Sequence, residues 1–213
     1  MVSHRRVRVK VCGVMSVEQA VACVEAGVDA IGVNLIASSV RCVSSEVARA
    51  VVKEVGSRTL VVAVVNDLSA LAMLALREAT GVGCLQVHGD QIATQVEALL
   101  PHAYGCVRVG GPLDVEAAAS MPGDYVLVDA KVEGALGGTG RTFDWSLVAE
   151  LAKRRRLVLA GGLTPGNVVA AIEACHPWCV DVASGVESRP GIKDMGLVMA
   201  FVQAARQAQG LPT

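Results

Sequence analysis

The sequence predicts an α/β protein: a single closed (β/α)8 barrel occupying residues 1–213. Three observations predict it. Short β-branched runs alternate with longer amphipathic stretches, and eight such pairs fit in 213 residues, the pattern of a parallel-stranded α/β fold at the small end of the barrel size range. Several of the runs are apolar almost throughout, as strands buried on both faces are. The polar residues that end the runs are spread over all the units. A doubly wound open sheet would gather them at one switch point, so closure is favoured.

Taken in order, each element has its own punctuation. Arg8–Cys12 is the first strand, and the amphipathic stretch Val17–Ala26 after it stops at Gly27. Ala30–Asn34 is the second, followed by Glu46–Val55 with Ser44 or Ser45 as its cap and Gly56 at its end. Leu60–Asn66 precedes Ala70–Thr80, which Ser69 can cap and Gly81 terminates. Polar caps and terminal glycines are the expected helix boundaries. Cys84–His88 leads to Gln91–Leu100, and Gly105–Val109 to Asp114–Met121. Tyr125–Asp129 is followed by Trp145–Arg155, Leu157–Ala160 by Pro165–Cys175, and Val180–Ala183 by Lys193–Gln209. Pro165 suits a first helical turn, where its missing N–H is no loss.

Composition narrows the function. Nineteen Lys+Arg against 20 Asp+Glu give a net charge of −1, so no basic footprint for nucleic acid exists. The chain is 53% hydrophobic but only 3% aromatic, so Val, Ala and Leu must fill the core. No apolar stretch reaches the roughly 18 residues of a membrane span. The basic start Met-Val-Ser-His-Arg-Arg leads into a strand rather than an apolar signal region, so a soluble, cytoplasmic protein is expected. Seven cysteines without a C-x-x-C pair read as reduced thiols.

A barrel of this kind carries its chemistry at the C-terminal strand ends. Those ends are Cys12, Asn34, Asn66, His88, Val109 with Arg108 before it, Asp129, Gly161-Gly162 and Ser184-Gly185. The glycines after the seventh and eighth strands let backbone N–H groups approach an anion, and these loops are the usual phosphate site of the fold. Gly134-x-x-Gly137-Gly-Thr-Gly140 is not a dinucleotide fingerprint and reads better as a loop over the site.

Cys12 and Asp129 are the candidate catalytic pair, base and acid from opposite sides of the mouth. Side chains alternate along a strand, so Lys10 shares a face with Cys12 and Lys131 with Asp129. A nearby ammonium is expected to lower the thiol pKa, and burial to raise that of the carboxyl. Arg41, in the loop after the second strand, can clasp a carboxylate in bidentate fashion. His88 lacks partners at ligand spacing and reads as a wall or orienting residue, not a metal ligand.

In sum, the chain resembles the phosphoribosylanthranilate isomerases of tryptophan biosynthesis. The resemblance rests on Val9-Lys-Val-Cys-Gly, Ser39-Val-Arg-Cys-Val, Leu85-Gln-Val-His-Gly-Asp, Val128-Asp-Ala, Gly137-Gly-Thr-Gly, Leu159-Ala-Gly-Gly-Leu-Thr-Pro-Gly-Asn-Val, and Val182-Ala-Ser-Gly-Val-Glu through Pro190-Gly-Ile-Lys-Asp. It implies a cofactor-free, metal-free isomerase acting on a small phosphosugar, as a monomer or homodimer. It also implies roles: Asp129 as acid, Cys12 as base, Arg41 on the anthranilate carboxylate, His88 and Asp181 lining the site. Gly161, Gly162, Ser184 and Gly185 would hold the phosphate. The loop after the second strand departs from the family pattern: it reads Leu35-Ile-Ala-Ser-Ser-Val-Arg where a bulky aromatic with proline is usual. A non-catalytic or substrate-shifted paralogue, or another phosphate-barrel enzyme, is the alternative reading.

Overall fold

The computed structural model describes residues 6–130 and 144–208. Eight parallel strands close into a barrel in sequence order. They are β1 (Arg8–Cys12), β2 (Ala30–Asn34), β3 (Leu60–Asn66), β4 (Cys84–His88), β5 (Ala103–Val109), β6 (Tyr125–Ala130), β7 (Arg156–Leu159) and β8 (Cys179–Val182). β8 returns to β1, with Lys10 opposite Asp181. The expected (β/α)8 barrel is therefore the fold observed.

The helices that cover it are α1 (Val17–Glu25), α2 (Ser45–Val55), α3 (Ala70–Thr80), α4 (Ile92–Leu99), α5 (Pro112–Ala119), α6 (Ala149–Arg154), α7 (Val168–Cys175) and α8 (Met195–Gln207). Ser16, Ser44 and Ser69 cap α1, α2 and α3 by accepting from the backbone N–H of Gln19, Val47 and Ala72. Among the described residues no helix is long and apolar enough to cross a membrane.

Two packed regions result. Residues such as Val9, Val11, Ile31, Val33, Leu85 and Phe201 fill the layer between barrel and helices. Inside the barrel the alternate residues meet: Val62, Tyr104, Cys106, Leu127, Val158 and Cys179. The lumen floor is closed by Tyr125 and Trp178 in edge-to-face contact at 4.8 Å, with the Arg8 guanidinium 4.3 Å from the Trp178 ring centroid.

Some boundaries differ from the sequence expectation. Helix seven begins at Val168, not Pro165, because Asn167 fastens the preceding loop. Its Oδ1 accepts from Thr164 N at 2.8 Å and its Nδ2 donates to the Gly162 carbonyl at 2.9 Å. The stretch Trp145–Arg155 divides into a 3-10 turn, Trp145–Val148, and the short α6. Lys193 is not helical: it lies in an antiparallel hairpin of β9 (Glu187–Arg189) and β10 (Ile192–Lys193), and α8 starts after Asp194. The expected loop at Gly134–Gly140, and Lys131, lie outside the described residues.

Candidate active site

The C-terminal ends of the strands open into a cavity of about 960 Å3. Every candidate from the sequence lines it: Cys12, Arg41, His88, Asp129, Asp181, and the glycine loops at Gly161-Gly162 and Ser184-Gly185. Period-two alternation explains the convergence. Cys12 and Lys10, His88 and Gln86, and Asp129 and Leu127 each sit two apart on one strand and face inward together.

Below the mouth a polar network crosses the lumen. The Lys10 ammonium, almost wholly buried, donates to Asp181 Oδ2 at 2.6 Å and to Gln86 Oε1 at 2.9 Å. Tyr104 also donates its hydroxyl to Gln86 Oε1, at 2.9 Å. Two donors on that atom make it the amide oxygen, so Gln86 turns its Nε2 to His88 Nε2, 2.8 Å away. His88 then accepts through Nε2 and carries its proton on Nδ1. Burial, with the charges of Lys10 and Arg108, lowers the His88 pKa to about 4, which keeps the ring neutral at physiological pH. Burial also raises the Asp181 carboxyl, against the pull of Lys10. Its Oδ1 is buried and has no hydrogen-bond partner among the described residues.

The Cys12 thiol corrects an expectation. Its pKa is raised, not lowered: removal from water outweighs the attraction of Lys10, and the nearby Asp181 charge pushes the same way. Room for the sulfur comes from β2, where a Cβ on Gly32 would lie 2.7 Å from Cys12 Sγ.

Arg41 is placed by β9 rather than left in solvent. Its Nε and Nη2 donate to Glu187 Oε1 and Oε2 at 2.8 and 2.7 Å. The bond to Glu187 raises the guanidinium pKa further. Asp129, on β6, stands in register with Arg108 of β5. The glycine loops pack against each other: a Cβ on Gly185 would fall 1.9 Å from the Leu163 carbonyl oxygen. Gly161 and Gly162 take φ of +91° and +65°, a region open to glycine.

Residues 9–204 match the family model of N-(5'-phosphoribosyl)anthranilate isomerase. The chain belongs to the phosphoribosylanthranilate isomerase family. It is 40% identical over 206 residues to the enzyme of that name from Pseudomonas fluorescens, covering 96% of this chain and 98% of the relative. A Pseudomonas aeruginosa relative of the same name is 43% identical over 203 residues, 94% and 95% of the two chains. The solved phosphoribosylanthranilate isomerase of Thermotoga maritima superposes with a TM-score of 0.88 at 35% identity, covering 93% of this chain and 98% of that one. Another solved phosphoribosylanthranilate isomerase structure, a complex with reduced 1-(o-carboxyphenylamino)-1-deoxyribulose 5-phosphate, gives a TM-score of 0.84 at 33% identity, covering 93% and 98%.

Sequence reasoning missed Gln86, Tyr104, Glu187 and Lys193. Gln86 was findable, since it lies two residues before His88 on one strand. Tyr104 sat just before the predicted start of its strand. Glu187 and Lys193 stand in the family motif but carry no spacing that joins them to Arg41, 146 residues before Glu187.

Proposed function

We propose that this chain catalyses the Amadori rearrangement of N-(5-phosphoribosyl)anthranilate to 1-(2-carboxyphenylamino)-1-deoxyribulose 5-phosphate, the isomerisation step of tryptophan biosynthesis. The observation that carries the reading is the meeting of a thiol, a carboxyl, a guanidinium and two glycine loops on one cavity of a family member.

Asp129 donates a proton to the ribose ring oxygen as the C1–O bond breaks, and the nitrogen lone pair forms the C1–N double bond. Cys12 as thiolate takes the proton from C2; that electron pair forms the C1–C2 double bond as the C1–N π pair returns to nitrogen, and the enolamine forms. Ketonisation removes the 2-hydroxyl proton and places one on C1, so the overall change is an isomerisation without net gain or loss of atoms. The roles need an acid and a base together, and their pKa values must be set apart by surroundings. Burial raises the Cys12 pKa, so the thiolate is a minor form at neutral pH and its share grows as pH rises.

The end-on edge of Arg41, Nη1 with the second N–H of Nη2, has no partner among the described residues and faces the anthranilate carboxylate. Ile36 and Val40 on the same cavity wall replace the aromatic residue of other family members against the aryl ring. Gly161, Gly162, Ser184 and Gly185 take the phosphate through backbone N–H groups. Asp181 and neutral His88 flank the sugar.

The test is a fluorescence assay of substrate loss, with phosphoribosylanthranilate generated in situ. Cys12→Ser and Asp129→Asn should each lower kcat by about a hundredfold or more. Turnover within a few-fold of the parent in either variant would remove that residue from its role. A parent that binds the reduced product yet does not turn over would point to a non-catalytic relative.

A further inference from the structure

The motif Val186-Glu through Ile192-Lys-Asp has no part in the chemistry above, yet it holds two of the most deeply buried charges among the described residues. Glu187 and Lys193 face each other across the β9–β10 hairpin, with side chains 4% and 0% exposed. Lys193 Nζ donates to Glu187 Oε1 at 2.8 Å. The same carboxylate takes both side-edge donors of Arg41, whose side chain is 16% exposed. Burial alone would raise the Glu187 carboxyl, but the bonds from Arg41 and Lys193 outweigh it and hold it below its usual value.

We propose that Glu187 and Lys193 are positioning residues that set both the aim and the net charge of the Arg41 clamp, and so select substrates carrying an aryl carboxylate. The proposal rests on the assignment of Arg41 to that carboxylate. Its logic is electrostatic. An arginine held bidentately by one glutamate is a neutral pair with little pull on a further anion. A second cation on the same glutamate restores one net positive charge, and that charge can appear only on the edge of Arg41 that Glu187 does not cover. Glu187 covers the Nε–Nη2 side edge, which leaves the end-on Nη1–Nη2 fork, a second edge able to hold a carboxylate bidentately.

Two features show that the fold is built around this arrangement. Gly13, at φ +76°, has no Cβ, and one placed there would meet Arg41 Cδ at 2.5 Å. Lys193 Nζ also donates to the Ala183 carbonyl at 3.0 Å, the residue before Ser184. The ammonium that charges the clamp therefore also fastens the loop assigned to the phosphate. A fastener acting only on that loop predicts equal effects on every phosphorylated ligand, whereas the charge mechanism predicts effects on the carboxylate alone.

The experiment measures two affinities by calorimetry: for reduced 1-(o-carboxyphenylamino)-1-deoxyribulose 5-phosphate, and for the same compound made from aniline, which lacks the carboxylate. Lys193→Met should lower the ratio of the two affinities about tenfold, the scale of one lost charge-assisted interaction. Lys193→Met with Glu187→Gln restores the net charge and should bring the ratio back to within about threefold of the parent. The double variant removes both of these buried charges and leaves Arg41, 16% exposed at the cavity, as the one cation of the three, so it tests the idea even if Lys193→Met alone fails to fold. Equal weakening of both ligands, or a double variant no better than Arg41→Met, overturns the proposal. Arg41→Met runs alongside. If it leaves the ratio untouched, the Arg41 assignment itself is wrong. If it abolishes the preference while Lys193→Met does not touch it, the proposal alone fails.

Discussion

The Cys12 thiol stands between two opposing influences: the Lys10 ammonium favours its thiolate, and burial disfavours it more strongly. The sign has a direct consequence. Only the thiolate is alkylated, so iodoacetamide should modify Cys12 more slowly than free cysteine at pH 7. Each unit of pH should speed the reaction about tenfold until the thiol titrates, above the ordinary thiol value of about 8.5. Mass spectrometry across pH 6.5–9.5 measures this, with cleavage after Glu18 to part Cys12 from Cys23, which shares its tryptic peptide. A rate that levels off below pH 8 would mean that Lys10 dominates after all. Cys12 could be found from sequence because it ends an apolar strand, and strand ends face the mouth. The direction of its pKa could not be found. It depends on how many strands shut water away from the sulfur, and that number is a property of closure, not of the local pattern Lys10-Val-Cys12.

Elements were legible in proportion to how much apolar surface they bury. Four strands, Arg8–Cys12, Ala30–Asn34, Leu60–Asn66 and Cys84–His88, begin and end where the apolar runs do. The β9–β10 hairpin was not legible: three and two residues long, largely polar, it offers no period to read. Its position follows from charge pairing with Arg41, a contact between distant segments. The same contact explains why the turn after β1 must be glycine. Gly13→Ala meets both a left-handed backbone, worth about 1 kcal/mol, and the Arg41 side chain at 2.5 Å. The expected outcome is a modest loss in urea stability with a larger rise in KM and a smaller change in kcat, because Arg41 is displaced while Cys12 stays on its strand. A fall in kcat with KM unchanged would place the damage on Cys12 instead.

At the scale of the whole barrel, the lumen carries a charge where an apolar plug is the simpler filling. Lys10 of β1 is tied to Asp181 of β8 beside it and to Gln86 of β4 across the lumen, and Tyr104 of β5 extends the chain. The strand pair that closes the barrel is thus joined inside by an ion pair as well as by backbone register. A buried pair of this kind adds little net stability compared with apolar residues, but removing one partner strands the other. Lys10→Met should therefore cost about 3–5 kcal/mol of unfolding free energy in urea, since Asp181 loses its counter-ion at a buried site and must stay charged there or take up a proton. Asp181→Asn in the same chain should return much of that loss, because the stranded charge is gone. Additive costs in the double variant would show that the two residues do not act as a pair. The two variants should also separate stability from chemistry. Cys12 loses the larger of its two favourable charges, Lys10, and keeps only Lys193 in both chains, so its alkylation should be slower than in the parent whether or not stability has recovered. The lumen charge is then kept for what it does to the thiol above it, and the ion pair with Asp181 is what lets a closed barrel tolerate it.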